Sequence, residues 1–114
     1  MRKWAYFSEP ISYGGSTIHK VMLYQKHNGE TYVFLFDDHR SQICCADEWY
    51  PTLQDALSVW DFIPHSEWSI VDDPIPGCQD DAIDPIRIKG RAEGKPEYGK
   101  YEILISGEWR EYKE

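Results

Sequence analysis

The sequence predicts an α+β fold: a mainly antiparallel, curved sheet of about six to eight strands packed on a single α-helix at about residues 52–63. Three observations lead there. β-prone runs separated by turn residues recur along most of the chain. An Asn-Gly pair, Asn28-Gly29, joins two such runs near the centre. Only one stretch, beginning at Thr52, repeats its apolar residues with helical spacing. With 114 residues and no linker or internal repeat, residues 1–114 are expected to form a single domain.

Trp4-Ala5-Tyr6-Phe7 is expected to be a short first strand that ends at Glu9-Pro10, because proline cannot donate to a ladder. Tyr13-Gly14-Gly15-Ser16 follows as a flexible loop. It lacks the lysine and the following helix of a phosphate loop. The central hairpin runs from residue 18 to 37. A two-residue type I′ turn at Asn28-Gly29 would pair Tyr24 with Val33 and Met22 with Leu35, leaving both faces largely apolar. After the polar turn Asp37-Asp38-His39-Arg40, a third strand is expected over residues 41–46, with Asp47 to Pro51 breaking it.

The helix has Thr52 as N-cap and Asp55 at the capping-box position. Leu53, Ala56, Leu57, Trp60 and Ile63 form its apolar stripe, and Pro64 stops it. A short strand is expected near residues 68–71 and an edge strand at 86–89. A closing hairpin, 101–105 with 108–112, turns at Ser106-Gly107. Between the short strand and the edge strand, Asp72 to Pro85 reads as an exposed loop rich in aspartate and proline.

The formal net charge is −8. Residues 37–84 hold twelve acidic side chains and one basic one, Arg40. Such a segment repels phosphate and anionic lipid and attracts a basic protein, so nucleic acid and membrane are not expected partners. No secretory signal is expected, because no apolar run follows the short basic start; no apolar run reaches membrane-spanning length, and the chain is expected to be soluble and cytoplasmic. The three cysteines, Cys44, Cys45 and Cys78, form no disulfide framework and are expected to be buried, reduced thiols.

Four constellations bear on chemistry. Asp72, Asp73, Asp80, Asp81 and Asp84 lack the regular alternation of a calcium loop. The cysteines with His39 and His65 lack zinc-ligand spacing. Asp37, His39 and Cys44 supply the residue types of a thiol nucleophile with its base and acid, within a turn that accounts for them without catalysis. Arg87, Lys89 and Arg91 alternate along an edge strand, where cations discourage aggregation. No metal, cofactor or catalytic activity is expected. The function read from these features is a protein-binding or inhibitory module of the antitoxin or immunity type. Its binding residues are Asp72, Asp73, Asp80, Asp81 and Asp84 with the aromatics Trp49 and Tyr50. The alternatives are a small-molecule-binding domain or small enzyme with an aromatic pocket at Asp37, His39 and Cys44, and a structural module that self-associates through the 18–37 hairpin.

Overall fold

The computed structural model describes residues 1–113. Among these described residues the fold is α+β, with eight strands in two antiparallel sheets, of five and three strands, and one α-helix. The chain divides into two compact units, Met1–Asp72 and Asp73–Glu114.

The first unit holds β1 (Arg2–Tyr13), β2 (Ser16–Gln25), β3 (Thr31–Phe36), β4 (Ala46–Tyr50), the helix α1 (Leu53–Trp60) and β5 (Ser69–Val71). The sheet order is β4-β3-β2-β1-β5. β1 is longer than the sequence suggests. It runs through Pro10 because the register with β2 shifts between Tyr6 and Ile11, and that irregularity accommodates a residue without an N–H. Tyr13 pairs with Ser16, so Gly14-Gly15 is a two-residue hairpin turn rather than a flexible loop. Both glycines have positive φ (54° and 84°), as a type I′ turn requires.

The Asn-Gly pair works differently from expectation. Lys26 N–H donates to Glu30 O and Gly29 N–H to Lys26 O, each at 2.9 Å, which leaves a three-residue loop, His27-Asn28-Gly29. Only Gly29 takes positive φ, while Asn28 Oδ1 accepts from Glu30 N–H at 3.1 Å. The longer loop moves the register by one residue, pairing Leu23 with Val33 and Val21 with Leu35. A one-residue shift exchanges faces. It gathers Val21, Leu23, Val33 and Leu35 on the side where Ala56 and Trp60 of α1, with Phe7 and Ile18, complete the core.

The strand expected at residues 41–46 is displaced: residues 37–45 are irregular and β4 begins at Ala46. Asp47-Glu48-Trp49-Tyr50 alternates between the two faces and continues the ladder instead of breaking it. In the helix, Thr52 Oγ1 accepts from Asp55 N–H at 3.1 Å, and every residue of the apolar stripe packs in or against the core. The helical turns stop at Trp60, with Asp61 as C-cap, a few residues before Pro64.

The other face of the hairpin is buried as well. Met22 and Phe36 are fully buried and Phe34 nearly so. Lys20 lies among them at 3% exposure. Its ammonium donates to the carbonyls of His39 (3.2 Å) and Ser41 (2.7 Å) and stands 4.6 Å from the centre of the Phe36 ring. Residues 37–45 are thereby fastened to this face by a cation.

The second unit contains β6 (Ile86–Ile88), β7 (Tyr101–Ile105) and β8 (Glu108–Tyr112) in that order, with a 3-10 turn at Arg91–Glu93. The closing hairpin turns at Ser106-Gly107, both at positive φ. Arg87 pairs across the sheet with Glu102 at 3.1 Å and stacks 3.8 Å from the Trp109 ring centre. The expected alternation of Arg87, Lys89 and Arg91 along one edge strand is corrected: β6 ends at Ile88, Gly90 turns the chain at positive φ, and Arg91 opens the 3-10 turn, where it donates to Gln79, while Lys100 pairs with Glu97. No helix is long and apolar enough to cross a membrane among the described residues.

Candidate functional site

β4 is an edge strand that packs beside the helix and carries two acids, Asp47 and Glu48. Alternation sends Asp47 and Trp49 to one face and Glu48 and Tyr50 to the other. On the helix face, Glu48 is half-buried. Its Oε2 accepts from Tyr13 O–H at 2.7 Å and its Oε1 from Tyr50 O–H at 2.5 Å. The Trp60 indole N–H donates in turn to Tyr50 Oη at 3.1 Å. Burial pushes the Glu48 carboxyl up, but the Tyr50 and Tyr13 hydroxyls and the Trp60 indole outweigh it and hold the group below the usual carboxylate range. In response the Tyr13 hydroxyl, donating to that carboxylate, is pushed up to about 12. Tyr50 is also raised, by burial first and then by its bond to Glu48. With every member bonded to another, the cluster braces the edge strand against the helix.

The opposite face of β4 is open. Asp47 is exposed and Trp49 is 54% exposed, with its indole N–H donating to Glu30 Oε2 at 3.2 Å. Asp37 and Asp38, after β3, are exposed too. Two cations that would offset these acids are drawn inside. Lys20 is the buried ammonium described above, and Arg2, 3% exposed, donates from Nε to the Asp72 carbonyl at 2.8 Å. Lys3 and Lys26 lie over aromatic rings, 5.0 Å from that of Trp68 and 5.2 Å from that of Tyr32. Arg2 and Lys20 are therefore not presented at the surface of this unit, whereas Asp37, Asp38 and Asp47 are.

The expected binding residues fall in both units. Trp49 and Tyr50 lie on opposite faces of β4, and Tyr50 belongs to the Glu48 cluster. Asp72 closes the first unit, whereas Asp73, Asp80, Asp81 and Asp84 belong to the second. Asp72, Asp73, Asp80 and Asp84 are exposed and Asp81 is half-buried. At the alternative pocket, Asp37, His39 and Cys44 share the irregular segment 37–45. The His39 ring packs against His19 (4.7 Å between centres) and Tyr6 (5.2 Å). A groove of about 460 Å³ lies instead among Ser8, Glu9, Pro10, Ile11, Ile63 and Pro64, and contains none of those three. None of the three cysteines is in a disulfide. Cys45 is exposed and Cys44 and Cys78 half-buried, so the expectation of fully buried thiols is corrected: all three sit in irregular segments outside the strands and the helix. Although the residue is exposed overall, partial desolvation of its thiol and the nearby Asp37 push the Cys45 thiol up, away from the reactive thiolate.

A further polar cluster follows the helix. Asp61 Oδ1 accepts from Trp68 Nε1 at 3.0 Å and lies 2.8 Å from His65 Nε2; these bonds, Trp68 foremost, hold its carboxyl low. The cluster ties the chain between α1 and β5 to the helix end. Among the described residues no three His, Cys, Asp or Glu side chains form a group suited to a metal ion. Sequence reasoning missed Glu48, Tyr13 and Lys20. The signal for Glu48 was the alternation of 46–50 itself, once those residues are taken as a strand. Lys20, one polar residue within an apolar run, carried no signal separable from a solvated lysine.

The fold and this surface define a small α+β protein with an acidic, aromatic-bearing sheet edge. Compared with protein-family models, curated proteins and solved structures, the chain matches none of them.

Proposed function

We propose that this is a small acidic binding module, without catalytic activity of its own, that docks a basic partner protein in the manner of an inhibitor, antitoxin or immunity protein. The observation that carries the reading is the unequal treatment of charge in the first unit. Arg2 and Lys20 are buried, while Asp37, Asp38 and Asp47 face water and Trp49 is exposed on the Asp47 face of β4. An aromatic anchor within a field of one sign is how an interface combines affinity with rapid association. The same field disfavours nucleic acid and anionic membrane. Three unbridged thiols fit a reducing, cytoplasmic setting.

The experiment is crosslinked capture from native extract, with the wild-type chain beside an Asp37→Lys/Asp38→Lys/Asp47→Lys variant. The expected result is a basic protein held by the wild type, lost from the variant and released by salt as charges are screened. An identical capture by the variant, or a complex indifferent to salt, defeats the proposal.

A further inference from the structure

The sheet of the first unit ends on β4, and β4 pairs with β3 alone. Alternate residues of a strand direct N–H and C=O groups away from their partner. Among the described residues no backbone hydrogen bond outside the β3 pairing involves Ala46–Tyr50, so the outer edge of this strand is unpaired. It is the longer of the two sheet edges, five residues against three in β5. Its exposed side chains are Asp47 and Trp49, with Glu30 bonded to the indole, and it contains no lysine, arginine or proline.

We infer that β4 is a strand-addition site: the outer edge of Ala46–Tyr50 takes up an extended, cationic segment of a partner protein as a sixth strand. The inference rests on the basic-partner reading above and names how that partner binds. Main-chain bonds to the edge supply affinity, and the side chains flanking the edge select the segment. Charge chooses the occupant. Adding a second copy of β4 would bring Asp47 and Glu48 up against their own kind, and like charges across a strand pair are destabilising. A strand with lysine or arginine at alternate positions brings those cations to the face of Asp47 and the Trp49 ring and turns its intervening apolar side chains to the face of Tyr50.

The probe is a blocked eight-residue peptide of alternating lysine and valine, titrated at low salt into the full-length, isotope-labelled protein. A control peptide of the same sequence is N-methylated at each amide, which preserves charge and removes pairing. The expected result is amide shifts and at least tenfold slower exchange within Ala46–Tyr50, at least tenfold weaker binding of the methylated peptide, and about tenfold weaker binding to Asp47→Lys. Equal, salt-sensitive binding of both peptides would overturn strand addition while leaving the acidic docking surface standing. Protection centred on Ser69–Val71, no binding of either peptide, or dimerisation that protects β4 without peptide would also overturn it. Loss of the basic-partner reading itself is judged separately, by the charge-reversed capture.

Discussion

Replacing Lys20 with methionine keeps most of the aliphatic stem and removes the charge, which isolates the work done by the ammonium. In the native fold Nζ donates to the carbonyls of His39 and Ser41 and faces the Phe36 ring at 4.6 Å. Two hydrogen bonds from a charged donor are worth about 1.5 kcal/mol each at the lower end of their range. The contact with Phe36 adds about 1 kcal/mol. Against these stands the desolvation of a nearly fully buried cation, an effective penalty of several kcal/mol that methionine relieves. The terms nearly offset, so global stability is expected to fall by only about 1 kcal/mol. The local consequence is larger, because the relief is shared by the whole fold while the lost bonds are those that fasten residues 37–45. Opening of that segment should become easier by about 3 kcal/mol, or roughly a hundredfold in exchange. The amides to watch are Ser41, which donates to Asp38 O, and Cys45, which donates to Leu35 O. Native-state hydrogen exchange reads the local term and a urea titration the global one. A variant that loses about 3 kcal/mol or more in urea, the worth of the two lost bonds, while exchange at Ser41 keeps its rank among the other amides would refute this division.

Tyr13→Phe removes one donor from Glu48 and is expected to cost about 2 kcal/mol. It also supplies a pH signature. The Tyr13 hydroxyl is raised in the folded state to about 12 from its ordinary 10.0, so its contribution is fully present below the unfolded value and is lost as pH rises through the folded one. Between those values the wild type should lose stability that Tyr13→Phe does not, measured by denaturant midpoints, and equal alkaline slopes would count against the bond. Gly90→Ala should damage the second unit far more than Gly15→Ala damages the first. Both glycines have positive φ, but a Cβ at Gly90 would sit 2.3 Å from Lys95 O whereas at Gly15 it meets nothing. Gly15→Ala should cost about 1 kcal/mol from backbone strain alone. Equal thermal shifts for the two would show that space at Gly90 is not limiting. Thr52→Ala removes the helix cap and should cost about 1 kcal/mol by urea melt, with Thr52→Ser retaining most of it.

The helix was legible because its signals agreed: a cap, an acid three residues on, a stripe of five apolar residues and a proline beyond. The closing hairpin at Ser106-Gly107 was legible for the same reason. The central hairpin was legible as a hairpin but not in register. Asn28-Gly29 permits both a two-residue loop and a three-residue loop with glycine at the positive-φ position. Only tertiary burial decides between them, by placing Val21, Leu23, Val33 and Leu35 together under the helix. β4 was hidden for a different reason. Asp47 and Glu48 look like strand breakers by composition, and only the bonds that Tyr13 and Tyr50 donate to Glu48 make an acid tolerable on the inner face. Of the candidate site, the acidity and Trp49 were legible. The burial of Arg2 and Lys20 was not, because nothing local to either residue announces a buried cation.

Alternation along β4 and burial of the cations together sort which charged side chains of the first unit face water. A count of acids treats Asp47 and Glu48 as equals. The strand separates them: Glu48 is bonded to two tyrosine hydroxyls inside, and Asp47 is left to water on the face that carries Trp49. The same sorting applied to Lys20 and Arg2 spends their hydrogen bonds on backbone carbonyls inside the unit and leaves neither cation presented at the surface. Burying a cation carries a desolvation penalty, and leaving like charges together outside adds repulsion, so neither choice is explained by stability alone. Both choices point the same way at the β4 edge. Under the proposed strand addition, they disfavour pairing of the edge with its own copy and favour a strand of opposite charge.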